Sequence, residues 1–348
     1  MKNTLKIHIT YPEFSEFNEW EGAFLPTLKS WMSSSEAAGY VWTPDPSEAD
    51  IIVLLESSTL KNKSHADELL KEPCLLEYPE KVFTVNYEDG PAGFLPGVYA
   101  ALHRRKFDPG RHRSGPYLFP YEEEWAHRYY GKRNSDPGLL FSFRGYRSHP
   151  VRARIFDRFS VNAENLYRVT DTNRWYVHSD EDRHMYFSEI LDSKFVLCPR
   201  GCSTTSYHLY EAMELGRCPV IIADGWVPPR RVPWEKFAIF VPETRVGHIP
   251  DILKERENEW QILGDEARRS WDEHFSPVKR MWYILDEIRD LDSSMAGGPR
   301  DYEHMWKSRE FSKKNGWTLE QRLVRRIKDL MKRFFAGLGI RKKTYKDQ

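Results

Sequence analysis

The chain has 348 residues, and 52 Lys plus Arg balance 52 Asp plus Glu, for a formal charge of zero. That length suits two domains of about 150 residues each, and the charge balance leaves no global field to draw the protein to nucleic acid. No apolar run approaches the ~20 residues of a membrane span, and the first residues, MKNTLKIHIT, carry no signal-peptide core.

In chain order, residues 5–9 alternate as a strand, and Phe14 to Met32 carries apolar residues at helical spacing. The run 51–55 (IIVLL) is a buried strand after the Pro-rich turn at 44–46, and 81–85 (KVFTV) is a third. Asn86 to Pro91 then forms a loop at a strand's carboxyl end, where open α/β sheets place ligands. Residues 103–138 are charged, aromatic and punctuated by Gly and Pro, and read as lobe closure plus linker. A second lobe opens with the strand 139–143, a turn at Gly145 and a helix over 150–159. A helix over 183–191, a strand over 237–241 and helical spacing over 249–274 complete it. Strands alternating with helices in both halves predict an α/β fold of two facing Rossmann-like domains. The expected boundaries are 1–135 and 136–292, with a basic tail at 293–348.

The most informative stretch is 194–229, KFVLCPRGCSTTSYHLYEAMELGRCPVIIADGWVPP. Phe195–Cys198 and Pro219–Ala223 are apolar runs of the kind buried parallel strands need, and a helical segment of about ten residues lies between them, making a β-α-β unit. Arg200, Gly201 and the hydroxyl run Ser203, Thr204, Thr205 and Ser206 stand between the first strand and that helix. Small hydroxyl caps and free N–H groups at a helix start receive an anion, and a diphosphate fits. Arg200 is positioned to bridge two phosphate oxygens. Three of the four cysteines, Cys198, Cys202 and Cys218, fall in this stretch. With His208 they can be read as a metal site, but the spacing is unlike that of structural zinc, and buried free thiols are expected. Asp180-Glu181-Asp182 and Asp290-Leu291-Asp292 are D-x-D strings that do not follow a strand, so both are expected to be solvated charge and no metal is expected.

Ser193 to Pro228 resembles the donor-sugar domain of the exostosin-like glycosyltransferases, with its S-K-F-x-L-x-P-x-G, E-A, G-x-x-P-V-I-I and D-x-x-x-x-P pattern. Residues 43–50 (TPDPSEAD) resemble that family's D-P-x-E-A-D segment, and Phe141 to Gly145 with Arg152 resembles its F-x-F-x-G…R element. The resemblance implies the two-lobed GT-B architecture and transfer of a sugar from a nucleotide-sugar donor to a glycan or lipid-linked acceptor, inverting, without metal and with the nucleotide sugar as substrate rather than cofactor. It implies that Glu211, rather than Glu214 one turn on, accepts the ribose hydroxyls, with Glu214 left solvated. Arg144 and Arg152, with Arg147 in the same cluster, would offset the charge of the leaving diphosphate. The transfer needs a base from the first lobe, where Glu88, Asp89, Glu13 and Glu56 are candidates and Asp89 is placed first. Trp226 would either stack on a ring of the donor or simply pack. Many members of the family carry an N-terminal span, and the lack of one here suggests a bacterial-type cytoplasmic enzyme. Rival readings are a non-catalytic nucleotide- or glycan-binding protein and another nucleotide-sugar enzyme such as an epimerase. In the tail, Leu323, Ile327, Leu330, Met331, Phe334 and Leu338 recur at helical spacing, and residues 313–348 hold 12 Lys/Arg against 3 Asp/Glu. Such a helix either lies on an anionic membrane surface or packs on the first lobe.

Overall fold

The computed structural model describes residues 4–13, 26–28, 30–33, 38–56, 67–118, 123–129, 131–132, 136–159, 166–174, 179–295 and 301–315. The chain divides into two compact units, Met1–Arg300 and Asp301–Gln348.

Among the described residues, the first sheet of the larger unit has six parallel strands: β1 (Leu5–Thr10), β2 (Tyr40–Trp42), β3 (Ile51–Glu56), β4 (Val82–Asn86), β5 (Gly97–Tyr99) and β6 (His112–Ser114). They lie in the order β2-β1-β3-β4-β5-β6, so the direction of winding reverses between β1 and β3. Every residue of β3 and β4 is buried, as the continuous apolar runs required for a sheet covered on both faces. A short helix α1 (Pro73–Glu77) precedes β4. Gly97 is required by close approach: it has φ +151°, and a Cβ there would sit 2.0 Å from the Thr84 carbonyl oxygen on the neighbouring strand. Strand β6 lies inside the segment read as linker. It escaped notice because a three-residue strand reading His-Arg-Ser has no apolar signature, although all three residues are buried.

The second sheet is built from β7 (Leu139–Gly145), β8 (Tyr167–Asp171), β9 (Ser193–Pro199), β10 (Cys218–Ile222) and β11 (Ile239–Phe240), all parallel, in the order β11-β10-β9-β7-β8. Here the winding reverses between β7 and β9. The connecting helices are α3 (Pro150–Phe159), α4 (Asp180–Leu191) and α5 (Tyr207–Glu214), with α2 (Glu123–Tyr129) before β7. Ser179 caps α4 by accepting from the Asp182 N–H, and Asp180, Glu181 and Asp182 fill its first turn, where the helix dipole favours negative charge. The first D-x-D string is thus a helix start. The expected helix over 249–274 is interrupted: α6 (Ile249–Glu255) and α7 (Trp260–His274) are separated by a 3-10 turn.

Helix α8 (Pro277–Ser294) lies within the range expected for the second domain, and its apolar face returns to the first sheet. Met281, Ile284, Leu285, Ile288 and Leu291 share one core with Ile7, Ile9, Val53 and Val85. Its Glu287 is fully buried and is held by Arg231 at 2.6 Å, Arg230 at 2.8 Å and Arg113 at 3.5 Å. A carboxylate this deep is tolerable only when so paired. These contacts join β6, the loop after β10 and α8. Asp290 also belongs to the cluster, bonding Arg113 and Arg230, rather than being merely solvated.

The smaller unit contains α9 (Tyr302–Lys307) and α10 (Arg309–Lys314), capped by Asp301 and Ser308. The amphipathic pattern at 323–338 lies outside the described residues, as does most of the helix expected over 14–32, of which 26–28 and 30–33 are helical. Among the described residues no helix is long and apolar enough to cross a membrane.

Candidate active site between the lobes

Open parallel sheets bind ligands outside the carboxyl ends of the strands where the winding reverses. In the second sheet that point lies between β7, ending in Arg144-Gly145, and β9, running into Arg200-Gly201. A cavity of about 1130 Å³ opens there, lined from the second lobe by Arg144, Arg152, Gly201, Ser206, His208 and Glu211 and from the first by Glu88, Asp89 and Tyr117. A volume of this order accepts a ligand of nucleotide-sugar size.

Arg152, from α3, is the most informative of these residues. Its Nε donates to the Arg200 carbonyl at 3.2 Å, and Nη2 donates to the Pro199 carbonyl and to Ser206 Oγ at 3.2 and 3.3 Å. Among the described residues no carboxylate pairs with it. Burial lowers its pKa, but a guanidinium keeps its charge in proteins. A positive charge beside the α5 N-terminus, without an anion of its own, is what a phosphate site requires. The backbone makes room for it: a Cβ on Gly201 would meet Ser148 Oγ at 3.1 Å and Arg152 Nη2 at 3.2 Å.

Arg144 differs, because its guanidinium is already matched by Glu189 at 3.1 Å and Asp182 at 3.5 Å. Burial raises the pKa of Glu189, and Arg144 opposes that shift. Arg147 faces outward and pairs with Asp157 and Asp171. Arg200 follows β9 as expected but does not line the cavity, and its Nε is buried without a described partner.

Ser206 begins α5, yet its side chain makes no capping bond. Its hydroxyl instead lies 3.0 Å from His208 Nδ1. Thr205 lines the cavity, and its Oγ1 is buried with no described partner. Ser203 accepts from the Tyr117 hydroxyl at 3.0 Å, and Thr204 donates to the Ala101 carbonyl at 2.9 Å, so these two hydroxyls tie the lobes together. Tyr117 also stacks on Tyr207, with centroids 4.0 Å apart.

Glu211 lines the cavity from α5 and accepts from the Tyr186 hydroxyl. Tyr186 has its pKa raised well above the usual value, by burial first and then by Glu211, so it stays a donor. Glu214, expected to be solvated, is 6% exposed, because one turn further along α5 the helix faces the core. His208 is pushed down to about 3 by burial and by Arg152. It was legible in sequence only as a possible metal ligand, and nothing at sequence level marked Tyr117 or Tyr186.

The first lobe supplies Asp89, exposed at the cavity, and Glu88, whose N–H donates to Asn86 Oδ1 at 3.1 Å. Glu56 is fully buried and accepts from Thr84 Oγ1 and Asn86 Nδ2 at 3.1 and 3.0 Å. It does not line the cavity, nor does Glu13. Trp226 is 3% exposed and packs edge-on against Trp234 at 5.1 Å, so it serves the core. All four cysteines are free; Cys198 and Cys218 are buried, whereas Cys202 is exposed at the cavity rather than buried as expected. Among the described residues no cluster of three or more His, Cys, Asp or Glu side chains is arranged for a metal ion.

The fold and site define a two-lobed, parallel-sheet α/β protein with an arginine-lined cleft at a topological switch point. Residues 102–256 match the Exostosin GT47 domain, the family that the stretch 193–228 resembles. The two all-parallel sheets bear out the expected α/β fold of two parallel-sheet lobes. Exostosin-1 of Drosophila melanogaster is 28% identical over 124 residues, 35% of this chain and 16% of that protein. The probable glucuronosyltransferase GUT1 of Oryza sativa subsp. japonica is 32% identical over 111 residues, 31% of this chain and 24% of that protein. The probable beta-1,4-xylosyltransferase IRX10L of Arabidopsis thaliana is 33% identical over 111 residues, 31% of this chain and 24% of that protein. The matched stretch therefore spans a quarter or less of these relatives. Among solved structures, WaaG, a glycosyltransferase involved in lipopolysaccharide biosynthesis, covers 84% of this chain and 100% of its own at 11% identity and a TM-score of 0.37, a likeness too loose to add to the topology.

Proposed function

We propose that this chain is a glycosyltransferase that takes a sugar from a nucleotide sugar bound to the second lobe and delivers it to a hydroxyl of a glycan or lipid-linked acceptor on the first-lobe side. The observation that carries this reading is Arg152, a guanidinium with no carboxylate partner among the described residues, at the switch point of a sheet that lies within the Exostosin GT47 match. When the glycosidic bond of the donor breaks, the nucleoside diphosphate gains negative charge, and Arg152 with the first turn of α5 stabilises it more in the transition state than before. That is the part a divalent metal plays elsewhere, so transfer is expected to proceed without one. Glu211 is assigned to the ribose hydroxyls, with Tyr186 holding one of its oxygens.

Asp89 is assigned as the base that takes the acceptor proton, with Glu88 as its neighbour in reserve. Of the four candidates, only these two line the cavity. With Asp89 as base the acceptor hydroxyl displaces the nucleoside diphosphate in one step, and a single displacement inverts the anomeric centre. The names of the relatives put uronate and pentose nucleotide sugars first among donors to screen.

The test is a thermal-shift screen of nucleotide sugars followed by a nucleotide-release assay with candidate acceptors. Stabilisation by one donor class, and release that continues in EDTA, is the expected result. Release abolished by EDTA and restored by manganese overturns the metal-independent part, and no stabilisation by any nucleotide sugar overturns the reading itself.

A further inference from the structure

Arg152, Ser206, His208 and the Arg144 carbonyl form a chain of hydrogen bonds whose direction can be assigned proton by proton. A carbonyl oxygen can only accept, so Nε2 of His208, 2.7 Å from the Arg144 oxygen, carries the ring proton. Burial and the neighbouring Arg152 disfavour a second ring proton, which leaves Nδ1 a bare acceptor. The Ser206 hydroxyl, 3.0 Å away, therefore gives its one proton to Nδ1. Its oxygen is left to accept from Arg152 Nη2 at 3.3 Å. The opposite orientation would aim the hydroxyl proton at a guanidinium, which has no acceptor.

The remaining donors of Arg152 can be followed in the same way. Nε bonds the Arg200 carbonyl, the second Nη2 hydrogen bonds the Pro199 carbonyl, and Nη1 reaches the Tyr146 carbonyl at 3.5 Å. Of the five N–H groups on a guanidinium, one, on Nη1, has no described partner. The carbonyls come from the end of β9, the residue after it and the loop beyond β7, and the Phe143 ring lies against the guanidinium at 5.4 Å; among the described residues Ser206 is the only side chain that hydrogen-bonds the group, and it does so only when its proton points away.

We infer that His208 is a positioning residue for Arg152: by taking the Ser206 proton it turns the serine oxygen into an acceptor that locks the guanidinium against the anionic group of the ligand. The inference rests on the donor-site reading above. It gives Ser206 a part other than donating to phosphate directly, and it accounts for a hydroxyl at the start of α5 that makes no capping bond.

Calorimetric titration of uridine and guanosine diphosphates, and of uridine and guanosine, into wild type and variants tests it. In His208→Gln the terminal amide replaces the Nε2 donor but nothing replaces Nδ1, and in Ser206→Ala the acceptor is gone. Both are expected to lose about tenfold in affinity for the diphosphate, the scale of one hydrogen bond to a charged group, with nucleoside affinity within about twofold of wild type. In His208→Asn an amide oxygen can stand where Nδ1 stood, so its diphosphate affinity is expected closer to wild type than that of His208→Gln. Should one variant fail to fold, the other carries the same contrast. Equal loss for nucleoside and diphosphate, or no loss in either folded variant, overturns the positioning role. Failure of the wild type to bind either diphosphate overturns the donor-site reading and the inference with it.

Discussion

Replacing Gly201 by alanine presses directly on Arg152. The new methyl would stand 3.1 Å from Ser148 Oγ, 3.2 Å from Arg152 Nη2 and 3.3 Å from Arg152 Cζ, against about 3.5–4.0 Å for unstrained contacts. Each of these neighbours is the far end of a side chain, so the guanidinium yields by a few tenths of an ångström and the backbone need not. The hydrogen bonds of Nη2 are already 3.2 and 3.3 Å long, and the same shift carries them past the range in which such bonds count. The displaced guanidinium also forfeits its hydrogen bond to the diphosphate, and a hydrogen bond to a charged group is worth about 1.5–3 kcal/mol, so the affinity should fall by roughly 10- to 150-fold. Stability should fall as well, because the two lengthened bonds are internal to the fold, offset in part by the lower entropy of an unfolded alanine, about 0.4–1 kcal/mol. Calorimetry with a nucleoside diphosphate, beside a thermal melt, measures both. A folded Gly201→Ala protein with wild-type affinity refutes the placement of the anion at Arg152.

Asp89→Asn should abolish transfer while leaving donor affinity within about twofold of wild type, because the residue serves only the acceptor; wild-type turnover in a coupled nucleotide-release assay would move the role to Glu88. Gly97→Ala should prevent folding of the first sheet, since its methyl would collide with backbone atoms of Thr84 rather than with a yielding side chain, and circular dichroism of the soluble fraction checks it. His208 gives a pH signature: its folded pKa, about 3, lies below its ordinary 6.5, so its contribution to stability is complete above pH 6.5 and is lost as the pH falls from there toward 3. Urea unfolding should therefore show wild type losing about 2 kcal/mol more than His208→Asn between pH 7.5 and 5, and parallel curves would contradict a buried neutral ring.

The β-α-β unit at the heart of the second lobe was legible because its signals agree: two apolar runs, a hydroxyl loop and an amphipathic helix of the right length. Strands β5 and β6 were not, because three-residue strands fall below the length at which a periodic pattern can be recognised, and β6 is polar although buried. The return of α8 to the first sheet is a tertiary choice that its own periodicity does not encode. At the site, spacing identified residues near the cavity but not their partners. Arg144 and Arg152 look alike in sequence, and only the fold shows that Glu189 and Asp182 match the first while backbone carbonyls hold the second. Glu56 looked available as a strand-end carboxylate until Thr84 and Asn86 were seen to enclose it. Tyr186 carried no mark in the sequence and His208 only that of a possible metal ligand, because the bonds that matter link α4 to α5 and α5 to β7, distances in sequence that no local motif spans.

A crystal structure with a bound nucleoside diphosphate tests the central claim most directly. The diphosphate is expected against Arg152 and the first turn of α5, with the ribose hydroxyls at Glu211. A diphosphate bound at the first sheet, or on the second lobe with Arg152 still bonded only to backbone carbonyls and Ser206, would contradict it.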